Sequence, residues 1–140
     1  MDGGPFITAA LFCERVLEER DGVMSAIRIV DRLTIIQPEP PFIAAVTAVI
    51  SLKQGKAVGR YALGLRPEAP SGLQLPVFQA PVNFDGGEGD RGVSVVLPLQ
   101  LEVEEGLYWF DVLWIDDRAD HQELLTRMPL RVVWQPTPAQ

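Results

Sequence analysis

Glu104-Glu105-Gly106-Leu107-Tyr108-Trp109-Phe110 is the stretch whose reading decides the fold. It has the acidic-x-Gly-x-Tyr-x-Cys spacing that opens the sixth strand of immunoglobulin-like sandwiches, with Phe110 where antibody domains carry cysteine. The spacing has a mechanical reason. Glycine permits a tight corner, and the tyrosine two residues later enters the core while its hydroxyl bonds backbone upstream. The stretch therefore predicts an all-β, antiparallel immunoglobulin-like β-sandwich of seven to eight strands. A corner of this kind predicts a fold and no reaction.

Working outward, twelve prolines and twelve glycines cut the chain into short apolar segments, few of which hold a helical period. Leu107 to Ile115 follows the corner, with Tyr108, Phe110, Val112 and Trp114 on its inner face. Before it, Val93, Val95, Leu97, Leu99 and Leu101 form an apolar face, and Pro98 on the other parity marks exposure or a bulge. Val58 to Arg66 alternates cleanly, with Tyr61, Leu63 and Leu65 inward against Arg60 and Arg66. Phe42 to Lys53 is apolar on both faces, as a central strand is, while Pro76 and Pro81 confine the 75–84 segment to a sheet edge or a bulged strand.

Nearer the N-terminus, Ile7, Ala9, Leu11 and Cys13 share one parity. Glu14 to Gly22 reads as a charged connection with room for a helical turn, and Val23 to Ile36 as one bent strand or two pieces. A last strand reaches Trp134 with a kink at Pro129. The expectation is one sandwich domain over 1–135 and a short tail over 136–140.

The chain has 140 residues, 47% hydrophobic and 22% charged, enough to bury a continuous core. Its formal charge of -7, from 19 acidic against 12 basic side chains, argues against a nucleic-acid partner. The single cysteine excludes an intrachain disulfide, Asp2 and Pro5 stand where a secretory leader needs a basic region, and a cytoplasmic location is the expectation. Apolar runs fall short of the roughly 20 residues that span a bilayer, so no membrane partner is expected.

Ala9-Ala10-Leu11-Phe12-Cys13-Glu14, then Gly22, Ser25, Ile27 and Asp31-Arg32-Leu33, resemble the opening of a family of small bacterial proteins catalogued only as a domain of unknown function. Gly106-Leu107-Tyr108-Trp109-Phe110-Asp111-Val112 and Met128-Pro129-Leu130-Arg131-Val132 resemble that family's terminal strands. One departure is Arg28, where the resemblance implies a small residue such as glycine. What it implies is a β-sandwich, without activity, cofactor or site residues.

Candidate sites are sparse. Asp85, Glu88 and Asp90 lie in one connection and Asp116, Asp117 and Asp120 in another, and a sandwich brings these connections to the same end. Clustered carboxylates suit Ca²⁺, which takes six to eight oxygens, although solvated loop tips are the ordinary reading of such residues. His121 and Cys13 are the only histidine and cysteine, and a nucleophile–base pair from a loop and an inward-facing thiol is poor geometry. Asp31, in phase with Ile29 and Leu33, reads as a partly buried carboxylate bonded to backbone or to an arginine. No phosphate-binding loop or dinucleotide motif is present, so no cofactor is expected.

Trp109, Leu113 and Ile115 form an apolar patch on the outer face of the strand after the corner. Either the N-terminal segment or the Glu14–Gly22 turn covers it, or a second subunit or another protein does. The leading expectation is a non-catalytic module acting through protein–protein contacts or self-association, with Trp109, Leu113 and Ile115 as its interface. The alternative is a Ca²⁺ or small-ligand module using the acidic loops.

Overall fold

A computed structural model describes residues 3–86, 89 and 91–135, apart from the Asp117 side chain. Among the described residues the chain forms nine strands: β1 (Phe6–Glu18), β2 (Met24–Val30), β3 (Arg32–Ile35), β4 (Ile43–Lys53), β5 (Gly59–Glu68), β6 (Phe78–Phe84), β7 (Gly92–Glu102), β8 (Gly106–Asp116) and β9 (His121–Trp134). A short 3₁₀ turn at Asp117–Ala119 joins the last two.

The corner forms as its spacing predicts. Gly106 has φ of 136°, and a Cβ there would lie 2.7 Å from the Pro70 ring, so both backbone and neighbour require glycine. Two residues on, the Tyr108 hydroxyl accepts a 2.9 Å hydrogen bond from the Glu104 N–H. Tyr108 is 2% exposed, and burial pushes its phenol above the ordinary tyrosine range.

β8 is thereby set in the middle of a five-stranded sheet of order β3-β9-β8-β5-β6, which faces a four-stranded sheet of order β2-β1-β4-β7. The chain is an immunoglobulin-like β-sandwich. Between the sheets, Phe12 meets Phe110 edge to face at 5.0 Å, and Trp114 stacks on Tyr61 at 4.6 Å. Pro81 lies in edge strand β6, paired with Ala62, and exposed Pro98 lies in edge strand β7, where missing N–H groups are tolerated. Pro129 falls just before β3 joins the edge of β9 at Arg131, and β9 runs through it; the register shift of β9 lies instead where Val112 and Leu113 face it.

The N-terminal third departs from the simple alternation. Val23 to Ile36 divides at Asp31 into β2 and β3, which belong to different sheets, and β3 pairs parallel with β9, the one parallel ladder among the described residues. That division brings the strand number above eight. Glu14 to Glu18 continues β1 and holds no helical turn. A bulge between Ile7 and Ala9 shifts the phase of β1, so Ile7, Ala10 and Phe12 join the core while Leu11 and Cys13 take the outer side.

Arg28 is the second irregular point, at φ of 56°. This left-handed conformation favours glycine. Cys13 pairs with Ile29 and Arg15 with Ile27 on either side of it, and Arg28 Nε donates to Glu14 Oε1 at 2.7 Å across the ribbon. The β1–β2 ribbon bends here. Its tip at Gly22, Val23 and Met24 lines one cavity with Thr8, Ser51 and Ser94, which an extended ribbon running on past Cys13 would not reach. The ribbon therefore doubles back over the outer side of the four-stranded sheet, where Cys13 is fully buried.

Replacing Tyr108 by phenylalanine leaves the Glu104 N–H without its partner, and urea denaturation is expected to show a loss of about 1–2 kcal/mol with an unchanged far-UV spectrum. Arg28→Gly should unfold within about 1 kcal/mol of the parent, because relief of the left-handed backbone offsets the added chain entropy and the lost exposed ion pair. Arg28→Val, which cannot relax there, should lose more than Arg28→Gly in the same measurement.

Candidate functional site

The outer face of β8 carries Leu107, Trp109, Asp111, Leu113 and Ile115. Asp111 is the unusual member, a carboxylate 7% exposed in the middle of an apolar strand. It stays charged because the neighbouring strands bring arginines into register with it, Arg66 from β5 and Arg127 from β9. Arg66 Nη2 donates to Oδ2 at 2.9 Å and Arg127 Nε to Oδ1 at 2.8 Å. Arg127 Nη2 also donates to Glu68 Oε2 at 3.0 Å. Glu68, Arg127, Asp111 and Arg66 thus form one continuous ionic chain across three strands.

Burial by itself raises the pKa of Asp111, but hydrogen bonds from Arg66 and Arg127, with both positive charges, outweigh it and hold the carboxyl below its ordinary value. The hydrogen bond to Asp111 raises Arg127 in turn, so it remains a cation. With its guanidinium fixed by two carboxylates, Arg127 lies over the Trp109 ring, Cζ to centroid 4.7 Å.

Trp109, Leu113 and Ile115 do share a face, in three different environments. Trp109 is half-buried under Arg127, Ile115 is half-buried, and Leu113 is 2% exposed. Leu113 pairs with Gly64, where a Cβ would lie 2.9 Å from Ile115 Cδ1 and 3.0 Å from Val77 Cγ1. Glycine alone leaves room for these side chains to meet beside Leu113. The cover comes from neighbours on the same sheet, since the β1–β2 ribbon lies over the other one.

The two acidic connections do meet at one end, for Gly59 lies against Arg118 and Val58 against Gly86. Two of the described carboxylates there have a cation of their own: Arg91 Nη1 donates to both oxygens of Asp85, and Arg118 Nε to Asp116 at 3.4 Å. Asp120 is exposed at φ of 46°. Glu88, Asp90 and the Asp117 side chain lie outside the described residues, and among the described residues no cluster of three metal-ligating groups forms. Asp31 is exposed, lending its carbonyl to the Arg131 N–H at 3.5 Å.

His121 opens β9 opposite Asp116 in the five-stranded sheet, whereas Cys13 lies in the four-stranded one. Burial raises the Cys13 thiol, which donates to the Arg15 carbonyl at 3.4 Å. Two cavities differ most in character. One, of about 420 Å³, lies under the ribbon tip with Lys53 as its titratable side chain. The other, of about 310 Å³, is an apolar groove between Leu75–Phe78 and Leu101. Neither gathers a set of acid, base and nucleophile.

Among the described residues no helix is long and apolar enough to cross a membrane. No model of a known protein family matches the chain, nor does any curated protein. Among solved structures, an immunoglobulin-like protein from Pseudomonas aeruginosa aligns over 92% of this chain and 96% of its own, at 13% identity and a TM-score of 0.40. So loose a likeness carries no argument, and the fold rests on the strand order itself.

Asp111→Asn removes the anion at the centre of the ionic chain and is expected to cost about 1.5–3 kcal/mol at neutral pH. Because the folded carboxyl is held below its unfolded value, its contribution is present above about pH 4 and fades as pH falls through the folded pKa. Urea midpoints of parent and variant should therefore converge on acidification.

Proposed function

We propose that this chain is a non-catalytic module that works by protein–protein contact through the outer face of its five-stranded sheet, centred on Trp109. The observation that supports the reading is the Trp109 ring held under Arg127, itself fixed by Asp111 and Glu68. Tryptophan and arginine are the residues that dominate contact energies, and a prearranged pair loses little rotamer freedom when a partner arrives. Fold stability alone calls for no half-exposed tryptophan roofed by a salt-bridged arginine.

Trp109→Asp tests the reading, with circular dichroism establishing that the variant folds. Wild-type protein is expected either to gain mass with concentration in light scattering, if the partner is a second copy, or to retain a co-purifying protein. The folded variant is expected to lose that association. Association unchanged by Trp109→Asp, or none in the wild type, overturns the proposal.

A further inference from the structure

Strand register places Arg32, Arg60, Arg66, Arg127 and Arg131 on the outer face of the five-stranded sheet. The carboxylates on the described strands of that face are Asp111 and Glu68, and Arg66 and Arg127 engage both. On its strands this face thus carries five arginines against two carboxylates, in a chain whose net charge is -7. The excess concentrates at the β3–β9 end. Arg32 and Arg131 are partners in the parallel ladder and both are exposed. Neither has a carboxylate at ion-pair distance among the described residues. Adjacent strands are about 4.8 Å apart, and like charges side by side at that spacing oppose pairing. Glu105, the acid held at this end, accepts from the Trp134 N–H and forms no ion pair with either arginine, so among the described residues the conflict has no counter-ion, a pattern that marks functional positions.

Apolar surface adjoins the pair. Leu107 is opposite Arg131, and Pro129 is opposite Trp109. We infer that this end of the face binds an acidic segment of a partner protein, whose carboxylates pair with Arg32 and Arg131 while an apolar side chain covers Leu107, Pro129 and Trp109. Arginine suits the task because its planar fork takes a carboxylate through two parallel hydrogen bonds. A long polyanion such as a nucleic acid would extend beyond this face onto acidic surface and be repelled. A second copy docked face to face about a two-fold axis would bring the Arg32–Arg131 pair toward its own image. A short carboxylate-rich segment meets neither obstacle.

The inference rests on the contact-surface reading above and adds the chemistry of the partner. Its test is fluorescence anisotropy with a labelled dodecapeptide rich in glutamate and carrying one leucine. Binding is expected at low salt, with weakening as ionic strength rises toward about 0.3 M. Arg32→Glu with Arg131→Glu should weaken binding by about tenfold or more, whereas Arg15→Glu with Arg20→Glu on the ribbon should leave it nearly unchanged. Arg32→Gln with Arg131→Gln serves as a second variant, expected to fold at least as stably as the parent because it removes the like-charge contact.

No binding at low salt, equal binding by the Arg32/Arg131 variants, or equally tight binding of a twelve-nucleotide single strand would each overturn the inference. A wild type that ignores the peptide yet associates through Trp109 sinks the acidic-segment inference alone. Peptide binding lost in the Arg32/Arg131 variants, beside association indifferent to Trp109→Asp, sinks the contact-surface reading and leaves a carboxylate site.

Discussion

The hydrogen bond from the Glu104 N–H to the Tyr108 hydroxyl is the constraint on which the rest of the structure depends. It ties the start of β8 to the connection before it, and β8 is the strand against which β5 and β9 register. Side chains alternate with a period of two, so a slip of one residue would turn Tyr108, Phe110, Val112 and Trp114 to water and Asp111 into the core. The corner thus fixes the outer face as firmly as the inner one. Trp109 and Asp111 point outward because Tyr108 is held inward.

The two outer faces solve different problems. Over the four-stranded sheet the chain supplies its own cover, by bending the β1–β2 ribbon at Arg28 and laying its tip above Thr8, Ser51 and Ser94. The bend requires a left-handed residue, and an arginine occupies the position with its side chain tied to Glu14. Over the five-stranded sheet the cover is ionic. Apolar side chains at Asp111, Arg66 and Arg127 would extend the Leu113 and Ile115 cluster into a large exposed hydrophobic patch, a liability in a free chain. The charged chain leaves aromatic surface available while keeping the face hydrated.

Much of the fold was legible because its signals are local. The Glu104–Phe110 spacing, the alternation of Val58 to Arg66 and the prolines at 81 and 98 each act within a few residues, and each lands where its chemistry requires. The bulge near Thr8 was not legible, since an extra residue in a strand leaves composition unchanged while reversing the parity of all that follows, so Cys13 is buried on the outer side. The ionic chain escaped notice because Glu68, Arg66, Asp111 and Arg127 are distant in sequence and meet only through the β5–β8–β9 register. One clue was available: a carboxylate between Phe110 and Val112 in an otherwise apolar strand demands a cation from a neighbouring strand.

Charge placement bears on specificity more than on affinity. With net charge -7 the molecule repels acidic surfaces at long range, and a partner of the kind proposed above would meet that cost everywhere but over the five-stranded sheet. There Asp111 and Glu68 neutralise Arg66 and Arg127, so those two cations organise Trp109 and add little net attraction. In the proposed contact, Arg32 and Arg131, without an ion-pair partner among the described residues, would supply the discrimination. An apolar segment alone could cover Leu107 and Trp109, but it would bury two guanidinium groups beside each other without counter-charge, a penalty that a carboxylate-bearing segment avoids. In the proposed contact, the pair that opposes the β3–β9 ladder in the free chain would thereby disfavour neutral partners.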